Sequence, residues 1–367
     1  MRYDLDHNST TPVDPRVLEA FLEIERSGPA NPASLHGSGR RARGIVEDSR
    51  KRIAELLGRR PDEVVFTSGG TESNNLAVRG VGDPSLPVLL GEVEHPSVLQ
   101  PARGRGLRLW RTDPSGRVRI EPPAGAVGLL CLVHAQSETG AVQPIGQASA
   151  LARSLGVPLH VDAAQSLGRL PLADVLAAAD TVALSPHKAA GLRGIGILLF
   201  RRGVAVPRPL MLGGGQEMGI RPGTQSPALC FSAARCVELA VAETERRARL
   251  ASEAKSAFLD ALSATGVDSS VVSPTDGVLP NTIMIRFGGI DGRSLLPALD
   301  LAGVEASHGS ACSSGAPEPP LVLRAMGFSE EDARCCVRFS FGWTGSREDA
   351  RRAGRLVGEV VGRLKKN

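Results

Sequence analysis

The chain has 367 residues, of which 42% are hydrophobic and 22% charged, and its formal net charge is +4. That balance is ordinary for a soluble globular protein, and the length predicts two domains. So small a charge argues against a nucleic-acid partner, and no apolar run reaches the roughly 18 residues that a membrane span needs. The start, MRYDLDHNSTTP, lacks the apolar segment of a signal peptide, and the six cysteines show no CxxC spacing, so reduced thiols in a cytoplasm are expected. Aromatic residues make up only 3%, which leaves Leu, Val, Ile and Ala to build the core. No cluster of metal-ligating residues is read.

Through the first two-thirds, short apolar stretches alternate with helix-like ones. EVVFTS (63–68), PVLLGEV (87–93), AVGLLCLVH (126–134), VPLHVD (157–162), DTVALS (180–185) and GIGILLF (194–200) predict strands, and 72–79 and 144–155 predict helices. This alternation predicts an α/β fold, a mostly parallel sheet covered on both faces. The stretch MLGGGQEMGIRPGTQSP (211–227) interrupts the rhythm and reads as a functional loop. ETERRARL alternates in sign like a solvated helix face. After residue 250 the pattern becomes α+β: a charged helix, the strand NTIMIRF (281–287), a Gly/Ser-rich stretch, the strand CVRFSF (336–341) and a C-terminal helix.

Several of these junctions carry chemistry. In TSGGTESNNLAV (67–78) a glycine turn opens a helix, so unpaired N–H groups near Gly70 and Thr71 favour an anion, although many such loops look alike. His95 ends a strand in GEVEHPSVL, where it could shuttle protons or simply start a helix. Asp162 ends the strand LHVD; a buried carboxylate there needs a partner such as a protonated pyridine nitrogen, or it caps the next helix. Gln165 follows three residues on. Lys188 is one of only five lysines, arginine having taken nearly every other cationic position. Guanidinium cannot lose a proton and attack a carbonyl, so a lone lysine after the apolar run TVALS, with Ser185 and His187 beside it, suggests a Schiff-base lysine for pyridoxal phosphate. Cys312 lies in EASHGSACSSGAPEPP, a stretch with little that can pack, and is a candidate nucleophile whose thiolate His308 could favour. Cys131, Cys230 and Cys236 sit in apolar surroundings and read as structural, as do Cys335 and Cys336 before a strand.

Together these segments resemble the pyridoxal-phosphate cysteine desulfurases of the NifS/IscS type, with a class V aminotransferase fold. YDLDHNSTTPVDPRV, NPASLHGSGRRAR, FTSGGTESNNLAV, EHPSVL, HVDAAQSLGRLP, SPHKAAGLRGIG, GGGQEMGIRPGT, GSACSSGAPEPPLVLRAMG and VRFSFG carry the resemblance, in order, over nearly the whole chain. It implies the aspartate aminotransferase-like fold: a large cofactor-binding domain over 14–250 with a seven-stranded sheet, and a small domain over 1–13 and 251–367 that carries the cysteine loop. It also implies pyridoxal 5'-phosphate bound through Lys188, Asp162 at the ring nitrogen, Gln165 at the phenolic oxygen, and His95 stacked on the ring. Gly70, Thr71, Ser185 and His187 would hold the phosphate, and Thr224 would reach the phosphate of a neighbouring subunit in a homodimer. Arg338 and Ser137 would meet the substrate. The implied reaction takes sulfur from L-cysteine, leaves alanine, and places a persulfide on Cys312 for an acceptor protein, an iron–sulfur scaffold or sulfur carrier.

Two sites, three residues in all, depart from the family pattern. Gln136 and Ser137 stand where two asparagines are usual, and His308 replaces a small polar residue. The first leaves open whether Gln136 swings into the space that Ser137 leaves. A selenocysteine lyase, a pyridoxal-phosphate aminotransferase and a catalytically weakened binding or scaffold partner are the alternative readings.

Overall fold

The computed structural model describes residues 2–309 and 319–365. Seven strands form one sheet, in the spatial order Val64–Thr67, Gly196–Phe200, Thr181–Leu184, Leu159–Asp162, Leu129–Val133, Val88–Gly91 and Leu107–Trp110. The six predicted strands are all present, each trimmed by one to three residues at its ends. Leu107–Trp110 was not foreseen: it lies on the sheet's edge with Leu109 exposed, so its sequence, LRLW, lacks the continuous apolar run of a strand buried on both faces.

Gly196–Phe200 runs antiparallel to both its neighbours, and every other pairing is parallel. The remaining six strands therefore end at one common edge. The segments that follow Thr67, Gly91, Val133, Asp162 and Leu184 all emerge there, the usual place for a ligand in an open α/β sheet. Helices that include Gly70–Gly80, Pro96–Arg103 and Ile145–Leu155 supply the return connections. The predicted helix at 72–79 falls inside the first of these, and the one at 144–155 matches the last except that Pro144 is its N-cap.

The C-terminal part builds a three-stranded antiparallel sheet from Cys336–Ser340, Thr282–Phe287 and Ser269–Val271. Helices Thr244–Ser263 and Arg347–Leu364 pack together beside it. Phe258 joins helix to sheet, its ring centroid 4.9 Å from Phe339 and 5.3 Å from Phe341. The first residues return to this region: Tyr3–Asp4 pairs with Val304–Glu305, and Asp6 bridges to Ser340. One expectation fails in ETERRARL. Arg247 is fully buried, pairs with Glu243 at 3.0 Å and lies 4.5 Å over the Trp343 ring, so a face that reads as solvated carries a buried cation–π anchor.

Among the described residues no helix is long and apolar enough to cross a membrane.

Candidate active site

A cavity of about 180 Å³ opens at the common edge of the larger sheet, and nine of the residues singled out in the sequence line it: Gly70, Thr71, His95, Ser137, Asp162, Gln165, Ser185, His187 and Lys188. Strand order explains the convergence. These residues lie at or just beyond the carboxyl ends of five different strands, up to about 120 positions apart in sequence, and the parallel register brings those ends level.

Asp162 is buried at the end of a central strand. Its Oδ1 accepts the Ala164 N–H at 3.0 Å and its Oδ2 accepts the Asn74 amide at 2.8 Å. Asn74 also donates to Ser97 Oγ at 2.8 Å, and its carbonyl lies 3.1 Å from His160 Nε2. Because the Asn74 nitrogen must face the carboxylate, its oxygen must accept, so His160 carries its proton on Nε2. Burial pushes the His160 imidazole down to about 4, which keeps it neutral. His95 receives the Ser97 N–H at 3.1 Å and lies 2.7 Å from Ser97 Oγ, both through Nδ1. One network thus ties His95 to Asp162 through Ser97 and Asn74. His95 also begins the helix Pro96–Arg103, so the helix-starting reading holds. Burial, with Lys188 nearby, lowers its imidazole below the ordinary value.

On the other flank, Gly70 approaches Ser185 so closely that a Cβ on it would lie 2.2 Å from Ser185 Oγ. Only glycine leaves this cradle open between the helix N-terminus and the Ser185 hydroxyl. Lys188 ends the short 3-10 turn Pro186–Lys188, and its backbone carbonyl accepts Arg169 Nη2 at 3.1 Å. His187 Nδ1 lies 3.1 Å from Thr10 Oγ1, and burial beside Lys188 lowers its imidazole to about 4. An uncharged imidazole can donate one hydrogen bond here but adds no positive charge.

Gln165 lines the cavity, with one amide N–H given to the Asn8 carbonyl at 3.0 Å and its oxygen held by Arg169. Arg169 is itself buried and donates to the His7 carbonyl at 2.7 Å and Asn8 Oδ1 at 2.9 Å. Arg338 does not line this cavity. It is buried on the strand Cys336–Ser340 and bonds Asp6 Oδ1 at 2.5 Å, Ser9 Oγ at 3.0 Å and the Ser137 carbonyl at 3.1 Å. Ser9 and Ser137 both border the cavity, so Arg338 stands directly behind its wall.

Gln136 does not swing toward Ser137. Its oxygen accepts the N–H groups of Glu138 at 2.6 Å and Thr139 at 2.7 Å, and its nitrogen donates to Glu138 Oε2 at 3.0 Å. The amide is spent on its own turn. Thr224 is exposed and away from the cavity. Its segment is anchored by Glu217, which takes two bonds from Arg50 at 2.8 and 2.9 Å, while Glu217 and Met218 both adopt left-handed backbone. Strain of that kind persists only where the surroundings over-determine it.

Cys312 lies outside the described residues. The other five cysteines are buried, and burial raises each thiol, Cys236 and Cys336 to about 12. They read correctly as structural. His308 differs from its expectation: burial lowers its imidazole, so it offers no positive charge to a neighbouring thiolate at neutral pH. The sequence reading also missed Asn74, Ser97, His160 and Arg169. For Asn74 a signal existed, since it stands four residues after Gly70 and so on the same helix face.

A family model described as Aminotransferase class-V matches residues 3–352. A "Cysteine desulfurase IscS" from Dictyoglomus turgidum is 33% identical, with 98% of this chain and 95% of that protein covered. An "IscS-like cysteine desulfurase" from Mycobacterium tuberculosis is 36% identical, covering 99% and 97%. Among solved structures, a "NifS-like protein" is similar with a TM-score of 0.88 at 29% identity, over 99% of this chain and all of that one. "SspA in complex with cysteine" gives 0.77 at 29% identity, over 93% and 99%.

The Asn74 network generates a prediction. Asn74→Ala removes a donor from Asp162 and strands the His160 proton, and should cost about 2–4 kcal/mol in urea unfolding. Asn75→Ala, at the neighbouring partly exposed amide, should cost less than half as much. Equal losses would show that Asn74 has no special part in holding the buried carboxylate.

Proposed function

The chain belongs to the class-V aminotransferase family, alongside its IscS-like cysteine desulfurases, and from that membership and the site geometry we propose that it is a pyridoxal-phosphate-dependent cysteine desulfurase. The observation that carries the reading is the single cavity that gathers Lys188, Asp162, His95 and the Gly70–Ser185 cradle. The residues fit the cofactor chemically. A helix N-terminus beside glycine suits a phosphate, a buried carboxylate suits a pyridinium, and a lone lysine suits the aldehyde. When bound, the cofactor supplies an electron sink for charge left on the substrate α-carbon.

The protein groups do the rest. Gly70, Thr71, Ser185 and His187 would hold the phosphate, Asp162 would pair with the ring nitrogen, and Gln165 has a remaining N–H that would serve the phenolic oxygen. Lys188 would hold the cofactor and move the α-proton, and His95 would cover the ring and exchange protons. Arg338 orients the carboxylate end of L-cysteine from behind Ser9 and Ser137. The Cys312 thiolate takes the substrate sulfur: an S–S bond forms, the C–S bond breaks, and alanine leaves. The persulfide passes to an acceptor protein, an iron–sulfur scaffold or sulfur carrier. Buried, unpaired cysteines suit a cytoplasmic setting. The division into a large domain over 14–250 and a small one over 1–13 and 251–367 is supported by the separation of the seven-stranded sheet from the three-stranded one.

The direct test is alanine release from cysteine by the holoenzyme. Cys312→Ala should retain cofactor yet lose at least about a hundredfold in turnover, with the extra sulfur found by mass spectrometry on Cys312 of the wild type. Lys188→Ala should lose the borohydride-reducible link to the cofactor. A keto acid in place of alanine would make the protein an aminotransferase.

Ser137 leaves room that Gln136 does not fill. Restoring an amide with Ser137→Asn should add one hydrogen bond to the substrate, worth about 0.5–1.5 kcal/mol or roughly 2- to 13-fold in cysteine turnover. Unchanged turnover would deny Ser137 a catalytic meaning.

The active form is a homodimer in which Thr224 reaches the partner's phosphate. The exposure of Thr224 on a rigidly anchored segment supports this, as do the exposed apolar side chains of Leu212, Met211 and Met218 on the same segment. Mixing inactive Lys188→Ala with inactive Thr224→Ala should restore part of the activity, because one site of each heterodimer is then intact. Demonstrated subunit exchange without recovery would mean that each site is built from one chain.

A further inference from the structure

A second cavity, of about 880 Å³, has no lining residue in common with the cofactor cavity. Its volume falls in the range of roughly 300–1,000 Å³ that holds small organic ligands. The wall is mostly apolar and includes Leu56, Leu167, Leu170, Leu172, Leu176 and Val241. Leu56, Leu170 and Leu176 are only half-buried and Val241 is exposed, so this surface is open to an occupant. The turn after Asp162 serves both cavities. Ala164 and Gln165 face the cofactor site, whereas Leu167 and Gly168 line this one.

Two guanidinium groups interrupt the apolar wall. Arg59 lies just beyond the helix Gly37–Leu56, and Arg201 directly follows the strand Gly196–Phe200. Both turn Nη2 to carbonyls at the C-terminal end of the helix Ala173–Ala178. Arg59 donates to Leu176 at 2.6 Å and Ala179 at 3.1 Å, and Arg201 to Ala177 at 3.0 Å and Ala179 at 3.4 Å. The shared acceptor, Ala179, draws two like charges together. Nη1 of each arginine makes no hydrogen bond among the described residues and, unlike Nε, keeps accessible surface.

Counter-charge is short. Asp180 Oδ1 lies 3.5 Å from Arg201 Nε, while Arg59 pairs with no carboxylate among the described residues. Burial, and then Arg201 beside it, lowers the Arg59 pKa, and Glu63 and Asp180 raise it only from farther off. A guanidinium still stays charged under such pressure. Glu245 lines the cavity from the helix Thr244–Ser263 and pairs with neither arginine.

We infer that this cavity is a binding site for an amphipathic carboxylate, its apolar body against the leucines and its head on Nη1 of Arg59 and Arg201. One positive charge is left after Asp180 is matched to Arg201, which suits a monoanion. Two accessible donors suit the two oxygens of a carboxylate, and such charge-assisted bonds are the strong ones. A neutral apolar ligand would cover Arg59 without giving it a partner, which is costly. The site stands whether or not the desulfurase reading does.

The probe is decanoate below its micelle concentration, with 1-decanol and decyltrimethylammonium carrying the same chain under a neutral and a positive head. In isothermal titration calorimetry the wild-type holoenzyme should hold decanoate at least about tenfold tighter than either control. Arg59→Gln, which can still donate to the Leu176 carbonyl, should weaken decanoate by about tenfold and leave 1-decanol unchanged. Ala177→Trp, at an exposed position on the cavity wall, should fill the space and abolish binding of both without disturbing the core. Decanoate bound no tighter than 1-decanol, or not bound at all, would overturn the inference. So would decanoate binding that survives Ala177→Trp, because the chain would then sit elsewhere, the cofactor cavity included.

Discussion

A carboxylate buried at the end of a central strand is the constraint on which this site depends. Asp162 cannot shed its charge into water, so the fold must surround it with donors. The Ala164 N–H and the Asn74 amide provide them. The demand then propagates. Asn74 must turn its nitrogen inward, His160 must protonate Nε2, and Thr181 Oγ1 lies 2.9 Å from His160 Nδ1. Through Ser97 the same amide reaches His95. Residues from two strands and two helices are locked into one pattern of donors and acceptors, because no member can be reversed without stranding a buried polar atom.

The second sheet contributes by standing behind the first. Arg338 belongs to it, yet its guanidinium ends at Ser9 and the Ser137 carbonyl, two points on the cavity wall. Asn8 links the same places, donating to the Ser137 carbonyl at 2.9 Å and Thr282 Oγ1 at 2.8 Å and accepting from Arg169. The N-terminal residues are therefore a hinge pin between the two sheets. A buried arginine with a half-exposed partner, Asp6, is worth less as a stabilising pair than as a fixed donor near the site.

The cysteines show how burial sorts reactivity. Five thiols sit in apolar surroundings, where the thiolate is disfavoured and nucleophilic attack with it. The imidazoles follow the same rule in reverse. His134, His160 and His187 are each lowered to about 4, chiefly by burial, and act as neutral hydrogen-bonding groups rather than cations. Arginines supply positive charge around the cofactor cavity instead: Arg169 and Arg338 behind its wall, and Arg193 near His187.

By itself the sequence determined the strand-and-helix alternation, the parallel character of the sheet and the residue types at the strand ends, because buried strands must be continuously apolar and Lys188 stands out against so many arginines. It also carried the family resemblance, motif by motif. What it could not determine were partners. An asparagine in a helix, a serine after a histidine and a histidine inside a strand read as ordinary when taken singly, and Asn74, Ser97 and His160 become a network only where strand order brings them together. The edge strand Leu107–Trp110 escaped because exposure lets its side chains vary. Arg247 read as solvated because local charge alternation cannot reveal that Trp343 waits nearly a hundred residues away. Gln136 could have filled the space beside Ser137, and only the tertiary structure decided otherwise, by giving its amide nearer N–H groups to satisfy.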